Sequence, residues 1–191
     1  ILFAGDWAVF SIGYFLGIFG SPIDFDSMRL TDMQIFLFTG RLINVIFGVA
    51  TIYLVYLAGK KIKNEETGLL GALFLTFMYL HVEECRYIHY LVPVVFFIML
   101  AFLSILQIFY TGRVRYYLLT GFIIGLGGVI KYTSFTAAFP FIIAHLLRFG
   151  NLREAFSKKS AVKLSLGIFF VLLGFVCGYP RVGRPAYRTR A

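Results

Sequence analysis

The chain alternates long apolar runs with short polar breaks. Apolar windows fall at roughly 1–20, 37–58, 67–82, 91–110, 116–130, 133–148 and 161–180. The longer ones match the ~20 residues that cross a hydrocarbon core of about 30 Å at about 1.5 Å per residue. Such runs exceed ordinary strands and show no alternation, so the pattern predicts an all-α fold. Its expected form is a polytopic membrane helical bundle with about seven full or partial transmembrane helices across residues 1–180.

Composition agrees with that pattern. Of 191 residues, 60% are hydrophobic and 14% charged, and the mean hydropathy is +0.85. A soluble domain is nearer half apolar and a quarter charged. The lipid bilayer is therefore the first expected partner, for an integral multi-pass protein.

The net charge of +9 changes the picture only through its distribution. Lys60, Lys61 and Lys63 lie between two spans, and Arg113 and Arg115 between the next pair. Arg148, Arg153, Lys158, Lys159 and Lys163 form a third cluster. Basic residues confined to inter-span loops mark the cytoplasmic side. No cluster interleaves with aromatics in a groove-binding pattern, so no nucleic-acid partner is expected. Cys85 and Cys177 are too few for a disulfide framework.

The two ends depart from this order. The opening "ILFAGDWAVF" has neither an initiator methionine nor a basic leader region, and reads as the middle of a longer chain. The segment 181–191 carries Arg181, Arg184, Arg188 and Arg190 to the outer side, against the charge bias. It reads as a truncated or non-native end, with a genuine flexible tail as the other reading.

Lys131 is the unusual residue of the interior pattern, set in "GGVIKYTSFTAAF" between Gly127 and Phe139. A lysine at a bilayer centre costs about 2.5–3.5 kcal/mol on insertion scales. One helix over residues 116–148 would be about 50 Å long, too long for a single crossing at ordinary tilt. Two short limbs turning at "KYTS" keep both basic flanks on one side and lift Lys131 towards water. There it either snorkels to the headgroups or meets an anionic partner. The hydroxyls of Tyr132, Thr133 and Ser134 gather at the same tip.

Basic loops inside leave 21–36 and 82–90 outside, with Asp24, Asp26, Asp32, Glu83 and Glu84. Glu83, Glu84, Arg86 and His89 fill the second connection, and Arg41 lies one turn into the span that begins near Phe36. Ionisable groups at such depth are candidate functional groups. Arg41 and Lys131 suit a phosphate or diphosphate on a membrane-anchored donor. The carboxylates suit sugar hydroxyls or general-base work. The competing readings are a solvated loop end for the glutamates and, for Arg41, pairing with a carbonyl or an acid inside the bundle. His81 and His89 with the two glutamates lack metal-ligand spacing, so no metal is expected. Gly13/Gly17 and Gly121/Gly125 match the small-xxx-small pattern of close helix packing. The triplet Gly125, Gly127, Gly128 follows no strand and is not read as a dinucleotide site.

Three stretches together carry a resemblance: "GSPIDFDSMRLTDMQIFLFTGRLINVIFGVATIYLVYLAGKKI", "GLLGALFLTFMYLHVEECRYIHYLVPVVFF" and "GLGGVIKYTSF". Over about residues 10–148 the chain resembles glycosyltransferase family 39, the protein mannosyltransferases and aminoarabinose transferases of the GT-C fold. That resemblance implies a mannosyltransferase-like enzyme moving a sugar from a polyprenyl-phosphate carrier to a protein, lipid or glycan acceptor. The reaction would face the non-cytoplasmic side, in the plasma (inner) membrane, without a cofactor. It implies lipid-phosphate contacts at Arg41, Lys131 and Tyr132. Sugar or acceptor contacts fall to Glu83, Glu84, Arg86 and His89.

Two departures accompany it. The first span and its catalytic aspartate would lie upstream of Ile1, so the catalytic residue is not expected among these residues and the piece alone is expected to be inactive. Asp24 and Asp26 match the "SPxDF" stretch instead. Leu91-Val92-Pro93 stands where relatives read "DVP", removing a carboxylate from the implied cavity. Outside the resemblance, a transporter or permease segment and a non-catalytic membrane scaffold remain as rival readings.

Overall fold

The computed structural model describes residues 33–149, 152–155 and 157–178. Its elements are α1 (Met33–Ile62), α2 (Glu65–Phe77), α3 (Tyr79–Arg86), α4 (Leu91–Thr111) and α5 (Val114–Ile130). A 3₁₀ turn (Tyr132–Ala137), α6 (Ala138–Phe149), α7 (Leu152–Ala155) and α8 (Lys158–Gly178) follow. The described residues contain no strand. Three segments, Leu37–Ile62, Leu91–Thr111 and Ser160–Gly178, are long and apolar enough to cross a membrane, and α2 with α3 makes a fourth if taken as one bent span. The bundle is thus all-α and membrane-type. The expected span at 1–20 and the tail 181–191 lie outside the described residues, as do Gly13, Gly17, Asp24, Asp26 and Asp32.

Local chemistry sets the boundaries. Asn64 caps α2, its Oδ1 accepting from Thr67 N at 2.9 Å, and Glu65 and Glu66 follow in the first turn where the helix dipole favours them. Gly59 and Gly68 let α1 and α2 touch backbone to backbone beside that turn; a Cβ on Gly59 would stand 2.7 Å from Gly68 Cα. Gly112 ends α4 in the left-handed conformation at φ +58°, its N–H returning to Ile108 O at 2.9 Å. Arg148 of α6 donates to Phe109 O at 2.8 Å, and Lys163 of α8 donates to Gly112 O at 3.1 Å. Two of the basic-loop cations therefore cap the carbonyl end of α4, a packing role beyond the charge bias.

The chain reverses at "KYTS". Tyr117, near the start of α5, donates its hydroxyl to His145 Nδ1, near the end of α6, at 2.8 Å. The ring of Tyr117 also meets Phe141 edge-on at 5.8 Å. α5 and α6 are the limbs of one hairpin whose basic flanks sit together, as the length argument requires. His145 is fully buried, and Nε2–H donates to Ala155 O at 3.1 Å beside Ser160 Oγ at 3.3 Å. This polar lock ties the hairpin to α7 and to the start of α8.

Without a hydrophobic force between helices in lipid, close approach of small residues drives association. α5 and α8 meet through Gly121 against Gly167 O and through Gly125 against Val171 O and Gly174. The inner core joins Ala101, Ile105 and Ile108 of α4 to Tyr117 and Ile124 of α5 and to Phe141 of α6.

Candidate functional site

The expected connection 82–90 is helical as far as Arg86, a correction to the loop reading. α2 breaks at Met78, whose extended backbone (φ −68°, ψ 113°) still donates its N–H to Leu75 O. α3 restarts there at 59° to α2, carrying Glu83, Glu84 and Arg86 on its last turn. The chain then crosses to α4 through Tyr87–Tyr90.

Asn44 holds that crossing in place. It is fully buried on α1, and Nδ2 donates to Tyr87 O at 2.6 Å and to His89 O at 2.9 Å. Gly40 and Gly48 flank it: a Cβ on Gly40 would press Ile88 at 2.9 Å, and one on Gly48 would collide with Cys85 Sγ. α1 thus presents a small-residue track against α3 and the link, with Asn44 as its only buried polar clamp on the link among the described residues. Asn44 Oδ1 is buried with no hydrogen-bond partner among the described residues.

Glu84, His89, Tyr90 and Lys131 follow one another in a chain of side-chain contacts. Glu84 Oε2 pairs with His89 Nδ1, and both groups are partly exposed. The His89 ring packs on the Tyr90 ring with centroids 4.7 Å apart. From the hairpin tip, Lys131 Nζ donates to Tyr90 Oη at 3.0 Å and stands 4.4 Å from its ring centroid. The tip has local causes. Lys131 adopts an extended backbone (φ −158°, ψ 136°) that stops α5, and its carbonyl accepts from Ser134 N at 3.0 Å to begin the 3₁₀ turn. Gly127 and Gly128 make room for that turn: Cβ atoms there would stand 2.9 Å from Ser134 Oγ and against the Phe135 ring.

The other sequence candidates are placed differently. Tyr132 is 75% exposed beside the hairpin tip, and the tyrosine that bonds Lys131 is Tyr90. Arg41 lies exposed on α1, one turn before Asn44. Glu83 bonds Tyr79, one turn back on α3, and Arg86 is exposed. Among the described residues no three His, Cys, Asp or Glu side chains are grouped to hold a metal ion. Tyr90 and Asn44 went unread in the sequence, where a tyrosine beside an outer loop and an asparagine in a span carry no distinctive spacing.

The site occupies one end of the bundle. α4 begins at Leu91, next to Tyr90, and its 21 residues rise about 30 Å to the end where Arg148 and Lys163 cap it. Tyr110 Oη reaches Lys61 O there at 3.5 Å, joining the lysine loop to the same end. The Glu84–His89–Tyr90–Lys131 group and the basic loops are therefore at opposite ends of the helices.

Membrane-length helices, with the Glu84–His89–Tyr90–Lys131 group at one end and the basic loops at the other, define a polytopic membrane protein. A sequence profile of the dolichyl-phosphate-mannose-protein mannosyltransferases matches residues 28–178. The chain belongs to that family, whose members are membrane glycosyltransferases using polyprenyl-phosphate sugar donors. No curated protein and no solved structure matches the chain.

Proposed function

We propose that this chain forms part of a glycosyltransferase that moves a sugar from a polyprenyl-phosphate carrier to an acceptor at the Tyr90–Lys131 end. That end faces the non-cytoplasmic side in this reading, because the opposite end collects the basic loops. The observation that carries the reading is the meeting of Lys131 with the Glu84–His89–Tyr90 group in a chain of this family.

The chemistry has two demands. As the anomeric carbon–oxygen bond breaks, negative charge gathers on the departing lipid phosphate, and a fixed cation there stabilises the transition state. Lys131 is assigned that role. Tyr90 orients it, and Arg41 and Tyr132 are assigned to the surrounding phosphate surface. The second demand is a polar surface for the sugar or acceptor hydroxyl. Glu84 and His89 are assigned to it, because Glu84 fixes the imidazole through Nδ1 and leaves Nε2 for a hydroxyl. Glu83 and Arg86, one helical face away on α3, are assigned to its margin.

The test is Lys131→Ala in the full-length protein in membranes supplied with polyprenyl-phosphate-linked mannose. Transfer should fall on the order of 10²-fold while membrane insertion is kept. Unchanged turnover would remove Lys131 from the site. Leu91, standing where relatives carry an acid, keeps a non-catalytic scaffold as the second reading; transfer by the unmodified full-length protein would dismiss it.

A further inference from the structure

We infer that the groove between α1 and α4 at the basic end binds the headgroup of an anionic glycerophospholipid. This site lies at the far end of the bundle from Lys131 and does not depend on the transfer reaction. The groove encloses about 420 Å³. Its walls are Leu57 of α1 and Leu100 and Leu103 of α4, and Lys60, Lys61, Ser104 and Gln107 complete the lining. These positions follow helical spacing. Residues 57, 60 and 61 share one face of α1, and 100, 103, 104 and 107 share one face of α4. The surface therefore runs from hydrocarbon side chains to cations along the helix axis, the same order as the acyl chain and phosphate of a lipid.

The polar lining divides into satisfied and open groups. Ser104 donates to Leu100 O at 3.2 Å. Lys60 is engaged by Glu65 at 3.3 Å and by Tyr56 Oη at 3.2 Å. The Lys61 ammonium and the Gln107 amide make no hydrogen bond among the described residues. An uncommitted cation beside an uncommitted amide, above a leucine-walled slot, complements a phosphodiester carrying an apolar tail. Farther along the same two helices, beyond the groove lining, Phe47 packs on Phe96 with centroids 5.0 Å apart. The space thus takes the headgroup and the first methylenes, and leaves the rest of the chains in the bilayer. Juxtamembrane lysines attract anionic leaflets in general; a walled groove with a second polar donor adds a fixed position.

The experiment uses the protein in phosphatidylcholine nanodiscs doped with photoactivatable phosphatidylglycerol or, separately, photoactivatable phosphatidylcholine. Phosphatidylglycerol should label peptides spanning 57–61 and 100–107 about fivefold more than phosphatidylcholine. K61Q should remove most of that preference and K61R should keep it. L103W, which fills the slot and leaves both lysines, should abolish labelling by both lipids at these peptides. An excess of soluble glycerol phosphate should not compete; full competition would assign the site to a free phosphate and overturn the lipid reading. Equal labelling by the two lipids, labelling confined to other peptides, or no labelling because another protein segment fills the groove would each overturn it as well.

Discussion

Lys131 Nζ lies 3.0 Å from Tyr90 Oη and 4.4 Å from the centre of the Tyr90 ring, joining two residues 41 positions apart. One aromatic side chain thus provides both a hydrogen-bond acceptor and a cation–π face for the same ammonium, the latter worth about 0.5–1 kcal/mol where exposed. Tyr90→Phe keeps the face and removes the acceptor. In the full-length protein it should lower kcat for sugar transfer by about tenfold or less, with smaller change in donor KM. Tyr90→Leu should fall further, towards Lys131→Ala. If Tyr90→Leu transfers at the normal rate, Tyr90 does not position the lysine.

Asn44 donates to two carbonyls of the Tyr87–Tyr90 link from a fully buried position. Asn44→Leu leaves both carbonyls without their donor, at a cost of about 1–3 kcal/mol each when buried. The variant should unfold at lower temperature in detergent, and amide exchange should speed up first at residues 87–90. Uniform acceleration across all helices would point to general destabilisation and against a clamp.

Gly125 admits the backbone of α8 at Val171 O, leaving no space for a side chain. Gly125→Val should destabilise the protein by about 1–3 kcal/mol or detach α8. Gly71→Ala is the matched comparison, since its Cβ would meet only Val55 Cγ1, at 3.3 Å. A thermal shift as small for Gly125→Val as for Gly71→Ala would contradict the α5–α8 contact described here.

The basic loops and the hairpin tip occupy opposite ends of α4. With Cys85 and Cys177 replaced, single cysteines at Lys61 and Tyr132 should react with a membrane-impermeant maleimide from opposite compartments. The Tyr132 site should react from outside intact cells and the Lys61 site only after permeabilisation. Reaction of both from one compartment would break the proposed donor pocket.

Hydrophobic run length alone determined the all-α membrane bundle, because in lipid every backbone polar group must be satisfied within its own helix. The hairpin at Lys131 was equally legible: a span of about 50 Å has nowhere to go, and basic flanks on both sides require a reversal. Gly121 and Gly125 showed as a packing stripe, though not which helix they would meet.

The tertiary structure alone decided the rest, for reasons of distance and depth. Asn44 and Tyr90 act through partners 41 to 45 positions away, and no local period encodes such a pairing. The break at Met78 divided the expected span 67–82, and α3 carried the helix on into the expected connection as far as Arg86, with Glu84 paired to His89. Arg148 and Lys163 read as loop charges until the fold brought them to the open carbonyls of α4. Sequence pattern reports how far each segment lies from water; only packing reports which side chains face each other there.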